Sequence, residues 1–504
     1  MGLYDLSFYD IINRNAIAFG QKVCWHEADD GRSVSFGEYK AEVERLAAGL
    51  TQVGILKGDR IGIVGKNSFE FFLLYGAAAC LGAVVLPINW RLSAEEIRYN
   101  IADCGVKIVF ADKAFQTTLK ERQSEMPTVI GRYNLRGDSG DFTSFATLMQ
   151  HSAKAEPASV EGGDSFVIIH TAAVEGRPRG AVLSHENMLV ANLHFAYYLE
   201  IGVTDVHLNL LPLFHVGGLF LATASFHAGG VNVNMSKFDG PAAARLIAQH
   251  QVSLFFDFPP ILASVLEAAQ DQDLDISSLK AVVGLGTPEV IEQYQGLTGG
   301  HYHVMYGQTE TSCLASMGRY DDCPGSAGRA IALGDVQLVD EYDRPVDVGE
   351  VGEITLRGPM VFQGYWQLAK DNDYTFRDGR HHTGDLGRFD ESGFLFYAGR
   401  KAEKELIKPG GENVYPAEVE KIILQQPAVE QTVVFGVPDP KWKEGIKAVC
   451  LLAAGAELSS SELIEFVGSR IARFKKPQYV EFAEVFPQRE DGAVDRQEVK
   501  RLYG

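Results

Sequence analysis

Between Ser35 and Phe110 the chain alternates capped helical patterns with short β-branched runs, and this alternation restricts the possible folds more than any other feature. Ser35-Phe36-Gly37-Glu38 has the spacing of a capping box, in which two side chains satisfy orphan N–H groups at a helix start. Tyr39, Val43, Leu46 and Leu50 follow at helical intervals, and Gly54 is placed to stop the helix. A strand is expected over Ile61–Val64, a helix over Phe69–Leu81 and a strand over Val84–Leu86. Ser93–Glu96 opens another capped helix, and Val106–Phe110 is the next apolar run. Helices alternating with such strands predict an α/β domain built on a largely parallel sheet.

Further on, Arg122–Gly163 reads as an irregular connection. Val167-Ile168-Ile169 reads as a strand entering a basic loop with two arginines, a proline and two glycines, and Ser184 is the expected N-cap of the next helix. Strand, basic loop and helix start together present N–H and guanidinium groups to a phosphate, although the stretch has no Walker A pattern. Leu210–Gly218 reads as an apolar loop with one histidine, and strand-like runs recur at Val252–Phe256 and Ala281–Val283. Short strands and turns from Ser326 to Tyr397 predict a small β-rich subdomain. A charged segment at Arg400–Glu405 marks a domain boundary near Arg400. Beyond it lies an α+β pattern, with helices over Val419–Leu424 and Leu463–Ile471 and strands over Thr432–Phe435 and Ala448–Leu452.

The chain has 504 residues, too many for one ordinary core, so several domains are expected. Acidic residues outnumber basic ones by 66 to 46, which argues against nucleic-acid or anionic-membrane partners while allowing a local basic pocket. Six cysteines without a C-x-x-C pair fit reduced thiols better than a disulfide framework or zinc site. The opening MGLYDLSFYD lacks the basic and apolar regions of a secretory signal, and no stretch has the length of a membrane span. A cytoplasmic protein with no integral membrane association is expected.

Five stretches occur in order between Thr171 and Glu420: the basic loop Thr171–Gly180, then PLFHVGG, YGQTE, HTGDLG and GGENVYPAEVE. In this series the chain resembles the adenylate-forming superfamily, the AMP-forming acyl-CoA synthetases and their luciferase and peptide-synthetase relatives. The resemblance implies an α/β fold: a large N-terminal domain of layered α/β subdomains plus a β-barrel-like piece over 1–399, a hinge at 400–406, and a small α+β C-terminal lid over 407–504. It implies that a carboxylic acid, ATP, Mg²⁺ and coenzyme A are the small molecules handled, in two half-reactions. A carboxylate attacks the α-phosphate of ATP to give acyl-AMP and pyrophosphate; the thiol of coenzyme A then attacks the acyl carbon and AMP leaves. Fatty acid metabolism is the implied setting.

By resemblance, Thr171, Arg177, Arg179 and Gly180 hold the pyrophosphate portion, Thr309 the α-phosphate and Glu310 the Mg²⁺ ion. Cations and N–H donors are the groups that a charged phosphoryl transfer requires, and one carboxylate plus substrate phosphates is a usual Mg²⁺ arrangement. Tyr306 stacks on adenine beside Gly307 and Gln308, Gly284 and Gly286 let the backbone approach the nucleoside, and Asp385, assisted by Arg400, takes the ribose hydroxyls. His215 orients the acyl carboxylate, while Phe214, Val216, Gly217, Phe255, Phe256 and Gly286 line the acyl pocket and suit a compact apolar acid: short or medium chain, alicyclic or aromatic. Gly410 and Gly411 line the pantetheine passage, and Lys404 is the hinge residue within GRKAEKE, a stretch two residues longer than the family pattern.

Two departures from the family stand out. The phosphate loop T-S-G-T-T-G-x-P-K-G here reads Thr171-Ala-Ala-Val-Glu-Gly-Arg-Pro-Arg-Gly180, which puts Glu175 where a triphosphate would bind. That change predicts weak ATP binding or an efficient reverse reaction. Near the C-terminus the family carries P-x-T-x-x-G-K, whose lysine contacts the carboxylate and α-phosphate; here Ala493 occupies the lysine position. Loss of that charge predicts very slow adenylation, with an engineered lysine-to-alanine change as its origin. Two other readings follow: an adenylating enzyme with a carrier protein or oxygen as acceptor, and a nucleotide- or acyl-AMP-binding protein without turnover.

Overall fold

A computed structural model describes residues 5–137, 140–150, 155–174, 177–401, 406–440, 442–489 and 494–504. The chain divides into two compact units: Met1–Trp90, Ile101–Ile169 and Gly180–Gly399 form the first, and Arg91–Asn100, His170–Arg179 and Arg400–Gly504 the second.

Parallel pairing governs the larger sheets, as the helix–strand alternation predicts. One sheet runs Gly364–Tyr365, Arg177–Ser184, Ser165–Val174, Val84–Ile88, Arg60–Val64, Ile108–Ala111, Gly131–Asn134, with its inner strands parallel. The other has nine strands, ordered Arg329–Ala330, Ser316–Arg319, His301–Tyr306, Ala281–Gly284, Leu254–Asp257, Val206–Asn209, Val231–Asn234, Val23–Glu27, Ser33–Ser35. Its six central strands are parallel and its edges antiparallel. Strands covered on both faces are apolar throughout, and Ile61, Ile63, Val64, Val282 and Val283 are all fully buried.

The helices form where capping and burial agree. Ser35 accepts the N–H of Glu38 while the Glu38 carboxylate accepts the N–H of Ser35, so the helix Phe36–Gln52 begins on the expected box. The helix Phe69–Leu81 lies at its expected bounds; it buries nearly every side chain, which is why its sequence is apolar all round rather than amphipathic. It ends at Gly82, whose φ of 64° is open to glycine at little cost. A helix over Phe8–Phe19, capped by a Ser7–Asp10 box, carries a signature that could have been read in the sequence.

Three expectations change. Among its described residues the basic stretch after Ile169 is strand: Ser165–Val174 and Arg177–Ser184 are neighbouring strands of the seven-stranded sheet. Backbone pairing there outweighs the loop-forming look of Arg177-Pro178-Arg179-Gly180. Ser184 does cap the following helix, His185–Tyr198, through a reciprocal bond with Asn187. Arg122–Gly163 is mostly irregular but contributes Gly131–Asn134 as an edge strand. The apolar loop is shorter than expected, because Val216, Gly217 and Gly218 already belong to the helix Val216–His227.

The β-rich stretch forms a four-stranded sheet, Asp335–Val339, Gly352–Arg357, His381–Phe389, Leu395–Arg400. In the second unit, Val429–Asp439 pairs antiparallel with Lys443–Leu452, which pairs parallel with Tyr479–Ala483. The helices Pro416–Ile423 and Ser460–Gly468 contribute to its separate core of Val419, Ile423, Val434, Ile446, Leu463 and Val467. Among the described residues no helix is long and apolar enough to cross a membrane.

Candidate active site

Parallel strands point their carboxyl ends to one edge, and there the expected loops gather in the first unit. Asp257, Gly284 and Val304 are in register on three adjacent strands. The loops after Asn209, Asp257, Gly284 and Tyr306 therefore leave the same side of the sheet.

Tyr306, the last residue of its strand, is 8% exposed and donates its hydroxyl to Asp385 Oδ2 at 2.8 Å. The Gln308 amide donates to the same oxygen at 2.5 Å and to the Thr383 carbonyl at 3.2 Å. The adenine-side, ribose-side and turn residues expected from YGQTE and HTGDLG thus converge on one buried carboxylate. Gln308 closes its own turn, taking the Thr311 N–H and Cys313 N–H on its carbonyl. Glu310 is buried and accepts the Tyr365 hydroxyl on Oε1 at 2.8 Å. Tyr365 pairs with Ala181, and Trp366 N–H bonds the Gly180 carbonyl, so Glu310 and Gly180 are tied through one short strand. Thr309 starts the one-turn helix that also holds Glu310. Tyr365 was missed in the sequence; its hydroxyl partner is remote in the chain, and no local spacing joins the two.

One expectation about the acyl pocket is corrected. Phe255 and Phe256 are successive residues of one strand and face opposite sides of the sheet, so they cannot line one pocket together. Phe256 is the one on the side of Gly217, where an added Cβ would lie 3.5 Å from its ring. Phe214 is buried and His215 is exposed, its ring 4.5 Å from that of Phe214. His215 is the N-cap of the helix Val216–His227. Gly218 is required by the chain itself, since a Cβ there would lie 2.3 Å from the Pro212 carbonyl.

The other glycines also answer to the backbone. A Cβ on Gly284, at φ 152°, would lie 1.8 Å from the Asp257 carbonyl, and one on Gly307 would lie 1.8 Å from that of Cys313. At Gly286 it would press on the Tyr302 ring at 3.0 Å. The space that these glycines leave is filled by protein. Tyr302 donates to Asp257 Oδ2 at 2.9 Å, and burial together with that carboxylate pushes the phenol pKa up.

In the second unit Thr171 donates to the Arg179 carbonyl at 3.4 Å, and the Tyr99 ring lies against His170. Arg400 donates to the Tyr415 hydroxyl at 3.3 Å. Arg177 begins its strand, and Gly410 and Gly411 lie in a one-turn helix. Gly410 has φ 59°, and a Cβ there would touch the Trp442 ring at 3.0 Å. Lys404, Glu175 and Ala493 lie outside the described residues.

A cavity of about 320 Å³ lies elsewhere, lined by Arg14, Asn192, Leu193, Val203, Ala224 and His227 among others. It opens at the C-terminal end of the helix Val216–His227, and Ala224 is roughly 10 Å along the axis from Gly217. None of the expected site residues lines it.

Comparison with known proteins identifies the family. The family model of the AMP-binding enzyme matches residues 12–366, and that of the AMP-binding enzyme C-terminal domain matches residues 418–492. The chain is 32% identical to an indoleacetate–CoA ligase of Aromatoleum aromaticum, over 94% of this chain and 93% of the other. It is 31% identical to a long-chain-fatty-acid–CoA ligase of Mycobacterium tuberculosis, over 93% of each. Its fold matches a double mutant of o-succinylbenzoate CoA synthetase from Bacillus subtilis bound to a product analogue, with a TM-score of 0.86, 25% identity and 98% of both chains covered.

Proposed function

The chain belongs to the AMP-binding enzyme family, among relatives that are acyl-CoA ligases, and we propose that it joins a compact apolar carboxylic acid to coenzyme A through an acyl-AMP intermediate. The observation that carries this reading is the convergence of Tyr306 and Gln308 on Asp385, with Glu310 held by Tyr365 nearby in sequence and fold. The relatives' aryl and long-chain acids bracket the choice. The apolar contact of Gly217 with Phe256, with buried Phe214 in the same loop, supports a compact acid, aromatic or of short to medium chain.

In this reading Asp385 accepts the ribose hydroxyls and Tyr306 flanks adenine. Thr309 donates to the α-phosphate, while Thr171, Arg177, Arg179 and the Gly180 N–H meet the leaving pyrophosphate, with Arg400 near the ribose. Glu310 fits a Mg²⁺ ligand: it is a buried carboxylate with one oxygen committed to Tyr365, and bound Mg²⁺ would supply charge neutralisation at the phosphates. His215, exposed at a helix start, orients the acid's carboxylate. The acid displaces pyrophosphate from ATP; the thiol of coenzyme A then displaces AMP from the acyl carbon and gives up its proton. We assign the adenylation domain to 1–399, the hinge to 400–406 around Lys404 and the lid to 407–504, with Gly410 and Gly411 along the pantetheine passage.

Ala493 stands where the family's charged lysine meets the reacting oxygens, so the first half-reaction is slow and thioester formation from supplied acyl-AMP is retained. An introduced lysine-to-alanine change accounts for it. Ala493→Lys tests this: pyrophosphate release with an acid panel should rise by about 100-fold or more, and no gain would sink the assignment. The altered loop Thr171–Gly180 with Glu175 supports weak ATP binding or an efficient reverse reaction, read as a high KM for ATP or ATP formation from acyl-CoA, AMP and pyrophosphate. A second reading, binding without turnover, draws on the same two departures and would be favoured by tight acyl-AMP binding with no turnover in Ala493→Lys. Transfer to a carrier protein in place of coenzyme A would show as activity with that acceptor alone.

A further inference from the structure

Asp385 stands in a backbone irregularity. The strand Gly352–Arg357 pairs with His381–Phe389 through Glu353↔Leu386 and Thr355↔His382, so Ile354 alone opposes Thr383, Gly384 and Asp385. Such bulges re-aim side chains next to functional sites. Gly384 takes φ 70°, which turns the segment and aims its N–H at the partner strand. That N–H is received by Glu353 Oε1 at 2.9 Å. Thr383 closes the other side, donating to the Ile354 carbonyl at 2.7 Å and accepting the Asp385 N–H at 3.1 Å.

Glu353 is in turn immobilised. Its Oε2 accepts from Arg377 at 3.1 Å and lies 3.2 Å from His382 Nδ1, and Arg377 also grips Asp343 at 2.7 Å. Asp343, Glu353 and His382 have the spacing of a metal cluster. The Arg377 guanidinium already supplies the positive charge, so the group is a scaffold and not a cation site. Glu353 is 3% exposed, and both its carboxylate oxygens meet protein groups.

We propose that Glu353 is the positioning residue for Asp385: by holding the Gly384 N–H it fixes the bulge that aims the Asp385 carboxylate at the nucleotide's ribose. The proposal rests on the ribose role given to Asp385 above. Titration calorimetry of the full chain with AMP, 2′-deoxyAMP and 3′-deoxyAMP tests it, and needs no turnover. The native chain should prefer AMP over the deoxynucleotides about ten- to hundredfold, the worth of a hydrogen bond to a charged group. Glu353→Leu should collapse this ratio to near unity. Glu353→Asp, which keeps the charge opposite Arg377 but is one methylene too short for Gly384, should reduce it and carries the test where the leucine variant fails to fold. Glu353→Gln retains a carbonyl for the Gly384 N–H and should keep the ratio. A merely structural role would weaken all three nucleotides alike. A ratio intact in both Glu353→Leu and Glu353→Asp, or in Glu353→Asp alone where the leucine variant is unfolded, with Asp385→Asn abolishing it, overturns the proposal and leaves the ribose reading standing. A ratio intact in Asp385→Asn overturns both.

Discussion

Gly284 illustrates how a residue proposed to face the nucleoside can be demanded by the fold first. Its backbone, at φ 152°, passes so close to Asp257 that any Cβ would overlap the carbonyl. Gly284→Ala should cost on the order of 2–4 kcal/mol of stability, from strain and displaced backbone together. A thermal melt of the variant within 1 °C of the native chain would refute this account. Tyr306, Gln308, Glu310 and Asp385 were readable in the sequence because their motifs keep them within short spans. Tyr365 and Glu353 were not, because each matters through a partner tens of residues away whose proximity only sheet pairing creates. Phe255 was misassigned because a strand alternates its side chains between faces, and the face is fixed by neighbours rather than by the residue.

The helix starts were the most legible elements, since Ser35, Ser93 and Ser184 each cap by local bonds. The strands Ser165–Val174 and Arg177–Ser184 were half-read, because arginine, proline and glycine mimic a loop wherever pairing is not visible. Two capping carboxylates also do a second task within the second unit. Glu96 accepts the Ser93 N–H at 2.8 Å and Lys475 Nζ at 2.6 Å, while Glu418 accepts the Tyr415 N–H at 3.0 Å and Lys475 Nζ at 2.7 Å. Lys475, 3% exposed, therefore links the starts of the helices Ala94–Asp103 and Pro416–Ile423. Burial and the two carboxylates act oppositely on its pKa, and the carboxylates prevail, raising it. Burial pushes Glu96 up, but the ammonium beside it prevails and its pKa ends lowered; at Glu418 burial prevails. Lys475→Met leaves the buried Glu418 and the half-buried Glu96 without their cation, and should destabilise the second unit by about 3–5 kcal/mol. Hydrogen exchange should then quicken at both helix starts, and unchanged protection there would contradict the link.

Across the molecule, titration sets a preference for neutral pH. Burial lowers the pKa of His185, His207, His227 and His303 from 6.5 to about 4 each. Between those values the unfolded chain binds more protons, so their stabilising contribution is complete above pH 6.5 and is lost as pH falls toward 4. Glu27 acts oppositely: burial raises it to about 7, so its contribution favours folding at low pH and is lost as pH rises from 4.5 through 7. The four histidines outweigh Glu27 and the likewise raised Glu418, and predict a Tm that falls from pH 7 to pH 5, and that falls less in His207→Gln. A Tm that rises over that range would refute the assignment. The overall architecture was legible because helix–strand alternation dictates parallel sheets, and parallel sheets dictate where the loops meet. The acid specificity was not legible, since it depends on how side chains from separate elements shape one cavity. The most direct test supplies Ala493→Lys with ATP, Mg²⁺, coenzyme A and a panel of aryl and short- to medium-chain acids, and identifies the nucleotide product. The account predicts AMP and pyrophosphate in step with acyl-CoA for at least one acid; ADP, or no nucleotide cleavage with any acid while AMP still binds, would contradict it.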